Sequence, residues 1–198
     1  MMHFVCSDLE GVFIPEIWKK IATKTRIKKL KMTTRECPDF NFLMKKRIKL
    51  LKEHNLKIYE ILKIVKHIKP FKGAAKFLKW LRENFQLLII SDSFYEFLSP
   101  LLKELNYPTI LCNSFIINKD GFIVGYRRIK KEKIINFLRR MQIKVIAIGD
   151  SYNDLEMIKN AEVGIFFNPS FKSWSKKIKI AKNYPQLKSL LKKFLNCT

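Results

Sequence analysis

The chain has 198 residues, 47% hydrophobic and 13% aromatic, with 40 Lys and Arg against 17 Asp and Glu, a formal charge of +23. That length holds one domain with room for a modest insertion, and it buries enough surface to fold without staples, which argues against both disorder and a disulfide scaffold. No apolar run is long enough to span a membrane, and Cys6, Cys37, Cys112 and Cys197 show no metal-ligand or redox spacing, so reduced thiols in a cytoplasmic protein are the expectation.

The first element is a short apolar strand, His3 to Ser7, that delivers Asp8 at its end, with Gly11 just beyond. No basic leader or small-residue cleavage site precedes it, and no secretion signal is expected. From Val12 to Lys69 the pattern turns helical, near Pro15 to Thr23, Phe42 to Glu53 and Ile58 to Ile68. A small helical cap over 12–69, inserted after the first strand, is the simplest account. Pro70 marks the return to the core, because proline ends helices at or before the preceding residue.

The core, 1–11 and 70–198, then resumes. A helix from Gly73 to Asn84 leads to the apolar run Gln86 to Ile90, which feeds Ser91-Asp92-Ser93. A second helix covers Phe94 to Leu105, and a turn at Asn118-Lys119-Asp120-Gly121 predicts a short antiparallel flap. A helix from Lys131 to Met141 precedes the run Lys144 to Ile148, which feeds Gly149-Asp150. A helix from Asp154 to Asn160 is followed by the run Val163 to Phe167, ending at Asn168-Pro169. Strands alternating with helices predict an α/β, Rossmann-like core: a parallel sheet with helices on both faces.

Three of these strands end in polar clusters: Asp8-Leu9-Glu10-Gly11, Ser91-Asp92-Ser93 and Gly149-Asp150-Ser151-Tyr152-Asn153-Asp154. Any one cluster is equally well an N-cap or a turn. Together, at the ends of strands in one open parallel sheet, they gather along a single edge where ligands bind. Crowded carboxylates repel unless a cation sits among them, and hard oxygen ligands without clustered thiols point to Mg2+.

These runs, in this order, resemble the haloacid dehalogenase superfamily and, within it, the phosphoserine phosphatase group. The resemblance is strongest to the bifunctional phosphoserine phosphatase/homoserine phosphotransferases (ThrH-type). It is carried by Asp8-Leu9-Glu10-Gly11-Val12 with Pro15-Glu16-Ile17-Trp18, Thr33-Thr34-Arg35, Leu43-Met44-Lys45-Lys46-Arg47, Ser91 to Phe97, and Gly149 to Asp154. The resemblance implies that Asp8 attacks phosphorus and is itself phosphorylated. It implies Mg2+ held by Asp8, Asp150 and the backbone carbonyl of Glu10, supported by Asp154 from the next helical turn.

Glu10 stands where most of the superfamily carries a second Asp, the general acid and base, and the ThrH-type group shares that substitution. Ser91 would hydrogen-bond the phosphoryl group and Lys131 would neutralise it, although Lys130 and Lys133 compete for that role. Glu16 would pair with a substrate ammonium and Arg47 with its carboxylate, an arrangement suited to O-phospho-L-serine and, as a second acceptor, homoserine. Asp92, Ser93 and Asn153 are further candidates for seating substrate.

Two other readings compete. A phosphatase of the same superfamily acting on a sugar phosphate or nucleotide would not need the Glu16–Arg47 pair. A basic nucleic-acid-binding protein would use the positive charge. Lysines run through almost every predicted helix, however, and Lys, Ile, Phe and Asn are the residues that AT-rich coding favours, so a dedicated nucleic-acid face is not expected. His3, His54 and His67 share no spacing and read as structural or surface residues; Trp18, Trp80 and Trp174 read as packing. No membrane partner is expected, and a homodimer is compatible with the sequence.

Overall fold

Alternation of apolar side chains along four short strands builds the centre of the molecule. The computed structural model describes residues 3–34, 36–37, 39–169 and 178–195. Its seven-stranded sheet has the order β4-β3-β2-β1-β5-β6-β7, with β1 His3–Ser7, β2 Gln86–Phe94, β3 Ile110–Ile117, β4 Ile123–Arg127, β5 Lys144–Gly149, β6 Val163–Phe167 and β7 Lys179–Ala181. All neighbours are parallel except β3 and β4.

Successive residues of a strand point to opposite faces. Val5, Ile89, Ile146 and Ile148 accordingly join one core, while Cys6, Leu88, Ile90, Val145 and Ala147 join the other. The second core is closed by α6 (Lys131–Arg140) and α7 (Leu155–Asn160), through Ile135, Leu138, Met157 and Ile158. The first is closed by α4 (Ala74–Asn84), α5 (Tyr95–Leu102) and α8 (Tyr184–Lys192). Helices therefore cover both faces, as the sequence pattern requires.

Between β1 and α4 lie α1 (Ile17–Thr25), α2 (Phe40–Glu53), α3 (Ile58–Val65) and a 3-10 turn at Lys28–Lys31. Asp39 starts α2 by accepting hydrogen bonds from the Asn41 and Phe42 amides at 2.8 and 3.1 Å, which satisfies donors a helix start leaves open. This cap begins the helix two residues before the predicted Phe42. The two ends of the helical segment meet where the Phe71 amide donates to the Phe13 carbonyl at 2.9 Å.

Several elements depart from expectation. Ser91 to Phe94 stay extended in β2, so the next helix starts only at Tyr95 and ends at Leu102, before a 3-10 turn. The predicted flap is an extension of the sheet, since β3 pairs with β2 as well as with β4. Strand β7 and helix α8 were not anticipated. Asn183 caps α8 by accepting from the Gln186 amide at 3.0 Å, with Pro185 in the first turn. Arg35, Trp174 and Cys197, named in the sequence reading, lie outside the described residues.

Candidate active site

Parallel register decides which side chains meet. Ser7 pairs with Ile89 on one side and with Ile148 on the other, so β1 and β5 finish almost level while β2 runs on past them to Phe94. Asp8, the Ser91–Ser93 segment and Asp150 emerge together along that edge. A cavity of about 100 Å³ opens there, lined by Asp8, Glu10, Ser91, Asp92, Ser93, Asp150, Ser151 and Asn153 from the sheet edge. Glu16, Trp18, Thr33, Thr34, Phe40, Leu43 and Arg47 line it from the helical segment. Sites for drug-sized ligands run to about 300 Å³ or more, so this cavity is sized for a small group.

Asp8, Asp150 and Asp154 each offer an oxygen within 4.8 Å of the others. Lys131, the first residue of α6, reaches into the same cluster. Its Nζ lies 2.7 Å from Asp154 Oδ1, 2.8 Å from Asp8 Oδ1 and 3.4 Å from Asp92 Oδ2. Lys131 is buried while Lys130 and Lys133 are exposed, which separates the three lysines the sequence left in competition.

Burial, then repulsion from Asp154, pushes the Asp8 carboxyl well above the usual carboxylate range, against the pull of Lys131. Burial alone would lower Lys131, but Asp154, Asp8 and Asp92 together outweigh it and hold the ammonium well above its ordinary value.

Asp154 lies in the 3-10 turn Tyr152–Asp154 and not one helical turn beyond Asp150. The chain wraps round its carboxylate: Oδ2 accepts from the Asp150 amide at 3.0 Å and from the Ser151 amide at 3.2 Å. With Oδ1 taken by Lys131, Asp154 is satisfied by protein groups and acts as a support. Asp8 differs: its buried Oδ1 has the Lys131 ammonium as its near partner at 2.8 Å, and no backbone amide wraps it as the Asp150 and Ser151 amides wrap Asp154. Gly11, at φ +77°, packs so closely on Asp150 that a Cβ there would collide with the carboxylate. A buried acceptor of this kind, beside two more carboxylates, fits a divalent cation held by oxygen.

The remaining predicted residues share the cavity. Glu10 Oε2 accepts from the Ile17 amide at 2.7 Å, fixing the carboxylate at the start of α1. Burial raises the Glu10 carboxyl, partly offset by that amide and by the Ser93 hydroxyl. Ser91 and Ser93 are buried, and the Ser93 amide donates to Ser91 Oγ at 3.2 Å. Glu16 precedes α1 and pairs with Lys19 at 2.9 Å. Asn153 lies exposed at the rim.

Arg47 is 6% exposed; its Nη2 donates to the Met32 carbonyl at 2.7 Å, and its guanidinium carbon lies 4.4 Å from the centroid of the Trp18 ring. Burial lowers its pKa to about 10, which leaves it cationic at neutral pH. Its Nε is buried without an acceptor, and Arg47 lines this cavity. Trp18, read from the sequence as packing, and Thr33, Thr34, Phe40, Leu43 and Ser151 were not predicted as cavity residues, although Trp18, Thr33, Thr34 and Leu43 fall in the runs that carry the resemblance and Ser151 in the third polar cluster.

Residues 8–162 match the haloacid dehalogenase-like hydrolase family. The chain is 46% identical over 171 residues to phosphoserine phosphatase ThrH of Pseudomonas aeruginosa, covering 84% of this chain and 83% of that protein. It is 43% identical over 171 residues to a phosphoserine phosphatase of Pseudomonas syringae pv. tomato, covering 84% and 72%. The fold resembles the crystal structure of phosphoserine phosphatase from T. onnurineus in complex with NDSB-201, with a TM-score of 0.76 at 24% identity, covering 97% of this chain and 95% of that one.

Proposed function

The chain belongs to the haloacid dehalogenase-like hydrolases, and we propose that it hydrolyses O-phospho-L-serine through a phosphoaspartate on Asp8. One observation carries the substrate. The same small cavity holds a buried acceptor among acids at Asp8 and a buried cationic donor without an acceptor at Arg47. The close carboxylates of Asp8, Asp150 and Asp154 suit a divalent cation, and a substrate carboxylate belongs beside Arg47. Glu16, lining the same cavity, supplies the charge an ammonium needs. The names of the relatives point to the same substrate.

Asp8 attacks phosphorus, and the bond from phosphorus to the serine oxygen breaks. Glu10, whose carboxyl is raised by burial, gives its proton to that oxygen so that serine leaves as an alcohol. Glu10 then takes a proton from water as the water attacks the phosphoaspartate, which restores Asp8 and releases phosphate. Asp8, Asp150 and the Glu10 carbonyl would hold Mg2+, which supplies charge neutralisation at the phosphoryl oxygens. Lys131 and Ser91 keep the phosphoryl group in line, because phosphoryl transfer asks mostly for positioning and charge stabilisation. Homoserine in place of water would accept the same group, and the helical segment, acting as a cap over 12–69, would decide how much water competes.

Phosphate release from phosphoserine, phosphothreonine and several sugar phosphates tests the reading, followed by added homoserine and a search for O-phosphohomoserine. Phosphoserine is expected to be the preferred substrate, and Asp8→Asn to abolish both reactions. Sugar phosphates turned over faster than phosphoserine would overturn it.

A further inference from the structure

Arg128, just past the end of β4, touches both halves of the cavity wall. Its guanidinium carbon lies 4.1 Å from the centroid of the Phe40 ring, and Phe40 is both the first residue of α2 and part of the cavity lining. Its Nη2 lies 3.9 Å from Asp92 Oδ1, and Asp92 Oδ2 in turn faces Lys131. Two further contacts dock the same helix start on the same arm. The edge of Tyr126 meets Phe40 at a centroid distance of 5.8 Å, and the Tyr126 hydroxyl donates to Asn41 Oδ1 at 2.7 Å. The buried Asn113 side chain anchors the root of the arm, donating to the Asp92 carbonyl at 2.7 Å and accepting from the Ile129 amide at 2.9 Å.

We propose that Arg128 is a positioning residue: it holds Phe40 and the start of α2 against the cavity, and so sets how tightly substrate is enclosed. At 3.9 Å the contact with Asp92 is too long for a hydrogen bond, and the Arg128 side chain is 35% exposed, so that ion pair is weak alone. The planar guanidinium stacked on an aromatic face is the part that only arginine supplies. Neither Arg128 nor Tyr126 lines the cavity, so their effect passes through lining residues, chiefly Phe40, the Asp92 contact being long and weak.

The inference rests on the phosphoserine reading for its substrate, and a double-mutant cycle tests it. Arg128→Met is expected to raise KM for phosphoserine about three- to tenfold while kcat stays within about twofold. Arg128→Lys, which keeps the charge and loses the plane, falls between the two. In a Phe40→Leu background, Arg128→Met adds nothing further, because the partner ring is gone. An unchanged KM, or effects of the two substitutions that multiply, would overturn the role. Wild-type protein inactive on phosphoserine would sink the parent reading instead. Limited proteolysis within residues 12–69, which needs no substrate, then decides: faster cleavage in Arg128→Met supports the role, and equal rates overturn it.

Discussion

Glu10 is held by the Ile17 amide and raised by burial, so in the proposed mechanism its proton would serve leaving groups that are poor without help. Glu10→Gln is expected to lower kcat for phosphoserine by about 10²- to 10³-fold while costing far less with an aryl phosphate, whose leaving oxygen needs no proton. Equal losses on both substrates would assign Glu10 a structural part only. Arg47 makes the complementary case. Arg47→Ala is expected to raise KM for phosphoserine strongly with little change in kcat, the mark of lost uniform binding, and to leave turnover of a substrate without a carboxylate unaffected. Steady-state kinetics on the two substrates measures both effects.

At the level of elements, the loops after β1 and β5 are packed closely enough to dictate a residue. Gly11 sits at φ +77° against Asp150, so Gly11→Ala combines about 1–2 kcal/mol of backbone strain with a displaced carboxylate. Expected are a lower melting temperature and weakened divalent-cation binding, read by calorimetric titration; an alanine variant that binds as tightly as wild type would contradict the packing. These loops were legible because each follows an apolar strand and is dense in Asp, Ser and Gly. Strand β3 was legible only as one arm of the antiparallel flap, since exposed and buried residues mix along it. Strand β7 spans only Lys179–Ala181, too short to show a period. Nothing in the sequence could place Phe40 over the sheet edge, because that contact depends on how a helical segment folds back across a hairpin some 85 residues away.

Across the whole molecule, the proposed cation site would couple cation binding to stability. In the cation-free protein Asp8 binds its proton more tightly folded than unfolded, so its contribution is present at low pH and is lost as pH rises toward the raised value. A divalent cation bound there would displace that proton and replace the repulsion among Asp8, Asp150 and Asp154 with attraction. The gain in melting temperature on adding Mg2+, against EDTA, is therefore expected to grow as pH rises through that interval. A gain that is flat or shrinks with pH would contradict the assignment. No described helix is long and apolar enough to cross a membrane.

The strand made first is also the middle of the sheet. β1 is complete at residue 7, yet its two neighbours are supplied by residues 86–94 and 144–149. Until the ribosome has released the second of these, the apolar strand that leads into Asp8 has at least one open edge. The last long-range pairing at the site closes a loop of well over a hundred residues, a costly step for a refolding chain. Assembly of the site consequently waits on β5, and chain termination before it leaves a sticky fragment instead of a weaker enzyme.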